Sequence, residues 1–338
     1  MTEEIQRLNY CAHAIDHFRE LIPNILPTMP GMRAGYKAVT ELLSASVKYL
    51  LPNCAQLIEI SEVRQVHIDS VRLPYPVVAL EIPWILPDGE GGDKGALRAP
   101  KRIALCVHLD ADIAALLPDT ARYLDEEGGG VCVIPVYWVQ EQNDWKIGVC
   151  GAFLPYSNDI SAYVPDEADE QTRLVNEPLR EAGLTHKKMR QFGVGPFLVL
   201  PELFEHHANK LGSEKEAVAL ALADVRDEIL ALIQTGCVVN CANITTPIIS
   251  SAAKLNRKRE QAGRTPFFEY RVLAVAPPRQ HGDSRGGTHA SPKTHLRTGH
   301  IRRLENKTVW VSSTIVNAGS ERGVVAKDYA VRPLRRPT

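Results

Sequence analysis

The chain has 338 residues, 44% of them hydrophobic and 23% charged, with a formal net charge of −1. That balance excludes a disordered chain, a collagen-like repeat and a small disulfide scaffold, and the length is enough for two domains of ordinary size. The near-zero total hides a division: residues 254–338 hold 18 Lys+Arg against 6 Asp+Glu, a charge of +12, which leaves −13 on residues 1–253. Halves of opposite sign attract each other, or the basic half attracts an anion.

The N-terminus, Met1-Thr2-Glu3-Glu4, has no basic region ahead of an apolar stretch, so no signal peptide is expected. No apolar run approaches the roughly 18 residues of a membrane span. Seven cysteines, an odd number without regular spacing, read as buried free thiols in a reducing cytoplasm, that of a host cell on the resemblance given below.

In chain order, Glu3 to Leu21 carries Ile5, Leu8, Ala12, Ile15 and Leu21 near one helical face and is followed by Pro23, Pro27 and Pro30. A second amphipathic helix is expected from Gly35 to Leu51, closed by Pro52. The β-branched runs 76–82, 102–107 and 131–139 are strand-length, and 145–154 is expected to be a further strand of a mostly antiparallel sheet. Gly128-Gly129-Gly130 reads as a turn, since no Lys-Ser/Thr follows it and a strand comes next.

From Asp166 to Ile233 the pattern is helical. Ser213 with Glu216 forms a capping box for a helix expected to run to Thr235 and stop at Gly236. Cys237 and Cys241 lack neighbouring ligands for zinc, and His206-His207 reads as a helix end. Thr246-Pro247 predicts a helix through Ala262, on which Lys254, Arg257 and Lys258 share a face beside Arg259. Strands are expected at 267–275, 300–304, 308–313 and 324–331, the middle pair joined by Glu305-Asn306-Lys307.

These elements predict an α+β fold with a mostly antiparallel sheet, helices, and a basic β-rich C-terminal module. The change of charge places a boundary between an acidic domain, 1–243, and the basic module, 244–338, unless the two halves pack as one continuous domain.

The densest chemistry lies in residues 286–304, which hold three of the 11 histidines and four basic residues. His289, Lys293, Arg297, Arg302 and Arg303, with Lys254, Arg257 and Lys258 upstream, are the candidate phosphate ligands, because guanidinium groups grip phosphate oxygens in a fork and imidazole donates near neutral pH. His295 and His300 are candidates for the acid and base of a metal-independent RNA cleavage. A structural cluster is a further reading. A metal site is disfavoured because the surrounding cations oppose a divalent ion, and no cofactor is expected.

The run Lys293-Thr-His-Leu-Arg-Thr-Gly-His-Ile-Arg-Arg-Leu304, followed by Thr308-Val-Trp-Val311 and Ile315-Val-Asn317, resembles the C-terminal signature of a phage and plasmid family that includes an anti-CRISPR protein acting on the type V-A effector nuclease. The similarity spans about residues 254–331 and centres on a His-x-Arg-x-Gly-His core, here His295 to His300, with a short turn, an aromatic strand and a valine-rich exit. Upstream, Pro74 to Glu81 and the helix around Asp224 to Asn240 fall in corresponding places. The resemblance implies a regulator that recognises a nascent polypeptide, or its ribosome complex, during translation and lowers the corresponding mRNA. Its partners would be that peptide and RNA, with no membrane. The alternative from another class is the metal-independent ribonuclease.

Overall fold

The computed structural model describes residues 7–58, 63–85, 99–164, 166–168, 170–181, 190–191, 193–275, 294–297, 300–304, 307–311, 314–316 and 324–325. Two amphipathic helices come first, α1 (Tyr10–Leu21) and α2 (Pro30–Ala45). The start of α1 is fixed by Asn9, whose φ of 57° is left-handed, and by the Glu81 carboxylate, which accepts the N–H groups of Tyr10 and Cys11. Pro30 opens α2 at a position where a missing N–H costs nothing. The helix expected to continue to Leu51 ends at Ala45, because Val47–Leu50 becomes strand β1, which finds partners on both sides.

Next come the short helix α3 (Gln65–Asp69), strands β2 (Val77–Pro83) and β3 (Lys101–His108), helix α4 (Ala111–Leu116), capped by Asp110, and strand β4 (Gly130–Val139). The run expected as one strand over 145–154 is two, β5 (Asp144–Ile147) and β6 (Cys150–Pro155), both on the same side of β4. Pro135 lies at the gap: its carbonyl accepts from Gly148 N, and it has no N–H to continue the ladder. Ser161–Ala162 (β7) pairs with Arg190–Gln191 (β8), and helix α5 (Glu170–Glu181) lies between them in the chain.

Strand β9 (Gly195–Leu198) precedes helices α6 (Pro201–Leu211) and α7 (Glu214–Val239). Ser213 accepts from Glu216 N as the capping box requires. Helix α7 does not stop at Gly236. A Cβ there would meet Val71 at 3.1 Å, so this glycine serves a close approach inside the helix, not a stop.

Strand β10 (Ile244–Thr245) precedes the expected 246–262 helix and β11 (Ile248–Ile249) occupies its start, so the helix is confined to α8 (Ala253–Gln261). The physical reason is tertiary: Ile248 and Ile249 pair with strand β12 (Tyr270–Val272), and the Pro247 carbonyl accepts from Val272 N. Ala274–Val275 (β13) pairs with β10.

The large sheet runs β11-β12-β1-β2-β3-β4-β6-β9, with β5 also on β4. β1 is parallel to β2 and β12, and the other described pairings in this sheet are antiparallel, so the fold is α+β with a mixed, mostly antiparallel sheet. Strand alternation divides two cores. Ala79, Ile103, Leu105, Val107, Cys132 and Ile134 face α1, α2 and α4, whereas Val78, Leu80, Cys106, Val131 and Val133 face α3 and α7.

The sheet crosses the 243/244 boundary that charge suggests, since β11 and β12 complete it beside β1. The two halves are also joined by Arg259, which is buried and donates to Asp16 at 2.6 Å. Among the described residues no helix is long and apolar enough to cross a membrane. All seven cysteines are free, six of them buried.

Candidate nucleic-acid interface

Lys254, Arg257 and Lys258 stand exposed on α8, one turn apart, as the helical spacing predicts. Their neighbour Arg259 is different. Its guanidinium donates to Asp16 and the Thr265 carbonyl and lies 4.1 Å over the Phe267 ring, so it holds the fold and is unavailable to phosphate.

His289 and Lys293 lie outside the described residues. His295 and Arg297 are on β14 (Thr294–Arg297), which pairs antiparallel with β17 (Thr314–Val316) and parallel with β18 (Val324–Val325). His300, Arg302 and Arg303 are on β15 (His300–Leu304), antiparallel to β16 (Lys307–Val311) in a separate two-stranded hairpin. The two candidate histidines therefore belong to different ladders. Arg302 on β15 and Lys307 on β16 are exposed.

The hairpin is seated on the main body through the residues that follow α7. Ala242 N donates to the Thr308 carbonyl at 2.8 Å, and Trp310 N donates to Asn243 Oδ1 at 2.6 Å. The Asn243 amide also donates to the Trp310 carbonyl, so one side chain mimics a strand partner along the free edge of β16. Trp310 packs beside Ile58, Cys237 and Val238. Asn240, three residues earlier, donates to the carbonyls of Arg72, at 3.0 Å, and Ser70. Segment 240–243 thus fastens both the basic hairpin and the loop after α3. In the sequence these asparagines are marked by no more than their place as polar residues directly after a long apolar helix.

Two buried charged centres also escaped it. Glu81 is fully buried in β2, accepts from Tyr10 N, Cys11 N and, at 2.9 Å, the Tyr270 hydroxyl, and is raised above the ordinary carboxyl range by burial. Lys48, also buried, is pushed down to about 8 by burial, which the Cys11 thiol and Glu81 oppose, and its ammonium lies 3.5 Å over the Phe268 ring. Every oxygen of Glu81 is used in holding α1 and β12 to the sheet, so this centre is structural.

The second centre joins Arg102 on β3 to α7. Arg102 Nη1 lies 3.0 Å from Glu228 Oε1 and 3.4 Å from Asp227 Oδ2, with the guanidinium 4.9 Å over the Trp84 ring. Burial raises the Glu228 carboxyl to about 7 against the pull of Arg102, and Asp227 and Asp224 add to the rise. Glu228 Oε2 and Arg102 Nε are buried without partners among the described residues. The spacing of Asp224, Asp227 and Glu228 on one helical face is its trace in the sequence. Among the described residues no group of three or more His, Cys, Asp or Glu is arranged to hold a metal.

No protein-family model, curated protein or solved structure matches the chain.

Proposed function

We propose that the chain is a phage- or plasmid-encoded, anti-CRISPR-like regulator that recognises a nascent polypeptide during translation and lowers the corresponding mRNA, with RNA contacted through its basic C-terminal module. The reading rests first on the resemblance carried by residues 293–317. The observation that supports it is the seated hairpin. The segment with the family signature forms a paired β15–β16 unit, fixed at the end of α7 by Asn243, with Arg302 and Lys307 outward. A charge of +12 over residues 254–338, with Lys254, Arg257 and Lys258 in solvent, supplies the phosphate contacts of such an interface.

Transcript profiles of host cells with and without the protein test this. A fall confined to one mRNA, and only while that mRNA is translated, is the expected result. An unchanged profile refutes the proposal. A global fall, together with degradation of naked RNA by purified protein in chelator, would replace it with the ribonuclease reading in which His295 and His300 act.

A further inference from the structure

The loop that Asn240 fastens leads to a second feature on the same face of the sheet. Ala104 and Cys106 of β3, and Ala152 and Leu154 of β6, face α7, so by alternation His108 and Tyr156 continue that face past the end of the helix-covered core. Their rings stack with centroids 5.9 Å apart and planes 21° from parallel, and His108 Nδ1 is 3.4 Å from the Tyr156 hydroxyl. The Arg72 guanidinium lies 4.4 Å from the centre of the Tyr156 ring. Arg72 and His108 are exposed and Tyr156 is half-buried.

The surroundings keep this surface open. Gly128 and Gly129 take φ values of +81° and +70°. Among the described residues a Cβ on Gly128 would meet nothing within 4 Å, and one on Gly129 would meet only His108 Cε1, at 3.8 Å. Tyr156 N donates to the Gly129 carbonyl, so the double-glycine turn sets the position of Tyr156 without adding a side chain of its own beside His108. A second cation and ring stand nearby in the fold. Arg271 of β12 lies 5.1 Å over Tyr75, which precedes β2, and Pro76 at that strand's start accepts from His108 N.

We propose that Tyr156, His108 and Arg72 form a stacking platform for a base of single-stranded RNA whose phosphates are held by the basic hairpin seated on the same 240–243 segment. This rests on the RNA contact in the function proposed above and names where a base, as opposed to the backbone, is held. Any nucleobase offers a flat face to an aromatic ring or a guanidinium plane, and such stacking favours binding with little sequence preference. An RNA strand satisfies both parts of this end of the molecule, its bases meeting the rings and its phosphates meeting Arg302 and Lys307. An uncharged aromatic ligand would use only the first.

The test compares a 5′-labelled oligouridylate with an abasic ribose-phosphate oligomer of equal length, on the full chain. His108→Ala, on an exposed residue, and Tyr156→Phe are measured beside the His108→Ala/Tyr156→Ala double variant, with thermal melts to confirm folding. The expected result is about tenfold weaker oligouridylate binding by the double variant, an intermediate loss for His108→Ala and none for Tyr156→Phe, with abasic affinity unchanged throughout. Equal oligouridylate binding by His108→Ala and wild type, or equal losses on both oligomers, overturns the platform while leaving the RNA contact of the proposed function in place. Wild type that binds neither oligomer overturns both. If the double variant keeps oligouridylate affinity but loses binding to the peptide Lys-Trp-Lys, the platform serves an aromatic side chain, and the RNA assignment is likewise overturned.

Discussion

Replacing Glu228 by glutamine isolates the energetic consequence of a carboxylate buried against two other acids. Glu228 is fully buried on α7, with Arg102 on one oxygen and, among the described residues, no partner for the other. Its carboxyl is raised from 4.5 to about 7, so the folded state binds this proton more tightly than the unfolded chain does. For an acid raised in this way, the stability contribution is fully present below the unfolded value and is lost as pH rises through the folded one. Between about pH 5.5 and about pH 8 the loss from this one group comes to about 2 kcal/mol. Glutamine keeps the shape and an oxygen for Arg102 but has nothing to titrate. Urea unfolding followed by tryptophan fluorescence at the two pH values should therefore show wild type losing about 2 kcal/mol more than Glu228→Gln. Parallel pH profiles for the two proteins would refute the argument that burial, and not the Arg102 pair, governs this carboxyl.

Glu81→Ala should cost about 3–5 kcal/mol in chemical denaturation, because it strands two helix N–H groups and the Tyr270 hydroxyl, and a loss under about 1 kcal/mol would show that water replaces them. Arg259→Ala should lower the melting temperature clearly through the loss of Asp16, the Thr265 carbonyl and the Phe267 face. The Lys254→Ala/Arg257→Ala/Lys258→Ala protein should instead melt like wild type and show a shallower dependence of RNA affinity on salt. Asn243→Ala should speed amide hydrogen exchange over 307–311 without changing exchange in β3 and β4, which separates loosening of the hairpin from global destabilisation.

Local pattern was sufficient where an element's partners do not alter it. The apolar runs at 102–107 and 131–139 become β3 and β4, the capping box at Ser213 opens α7, and the 300–304 run pairs as a hairpin with residues 307–311 of the next, whose expected end at 312–313 lies outside the described residues. The same local chemistry placed Lys254, Arg257 and Lys258 in solvent, because a short helix with so many charges has little apolar face to bury them against. Tertiary structure decided the rest. Val47–Leu50 leaves helical periodicity because β2 and β12 offer it two ladders, and Gly236 stays inside a helix because Val71 needs the room. Arg259 sits among the exposed cations in sequence but is buried, since Asp16, 243 residues away in the chain, comes to meet it. The +12 and −13 segments leave open whether the halves attract each other or the basic one attracts an anion, and only the pairing of β12 with β1 shows that the sheet itself runs across the division. Spacing along the chain carries the repeat of a helix or strand, whereas what lies opposite a given side chain is set by contacts far apart in sequence, and those determined which charges hold the fold together and which stand in solvent.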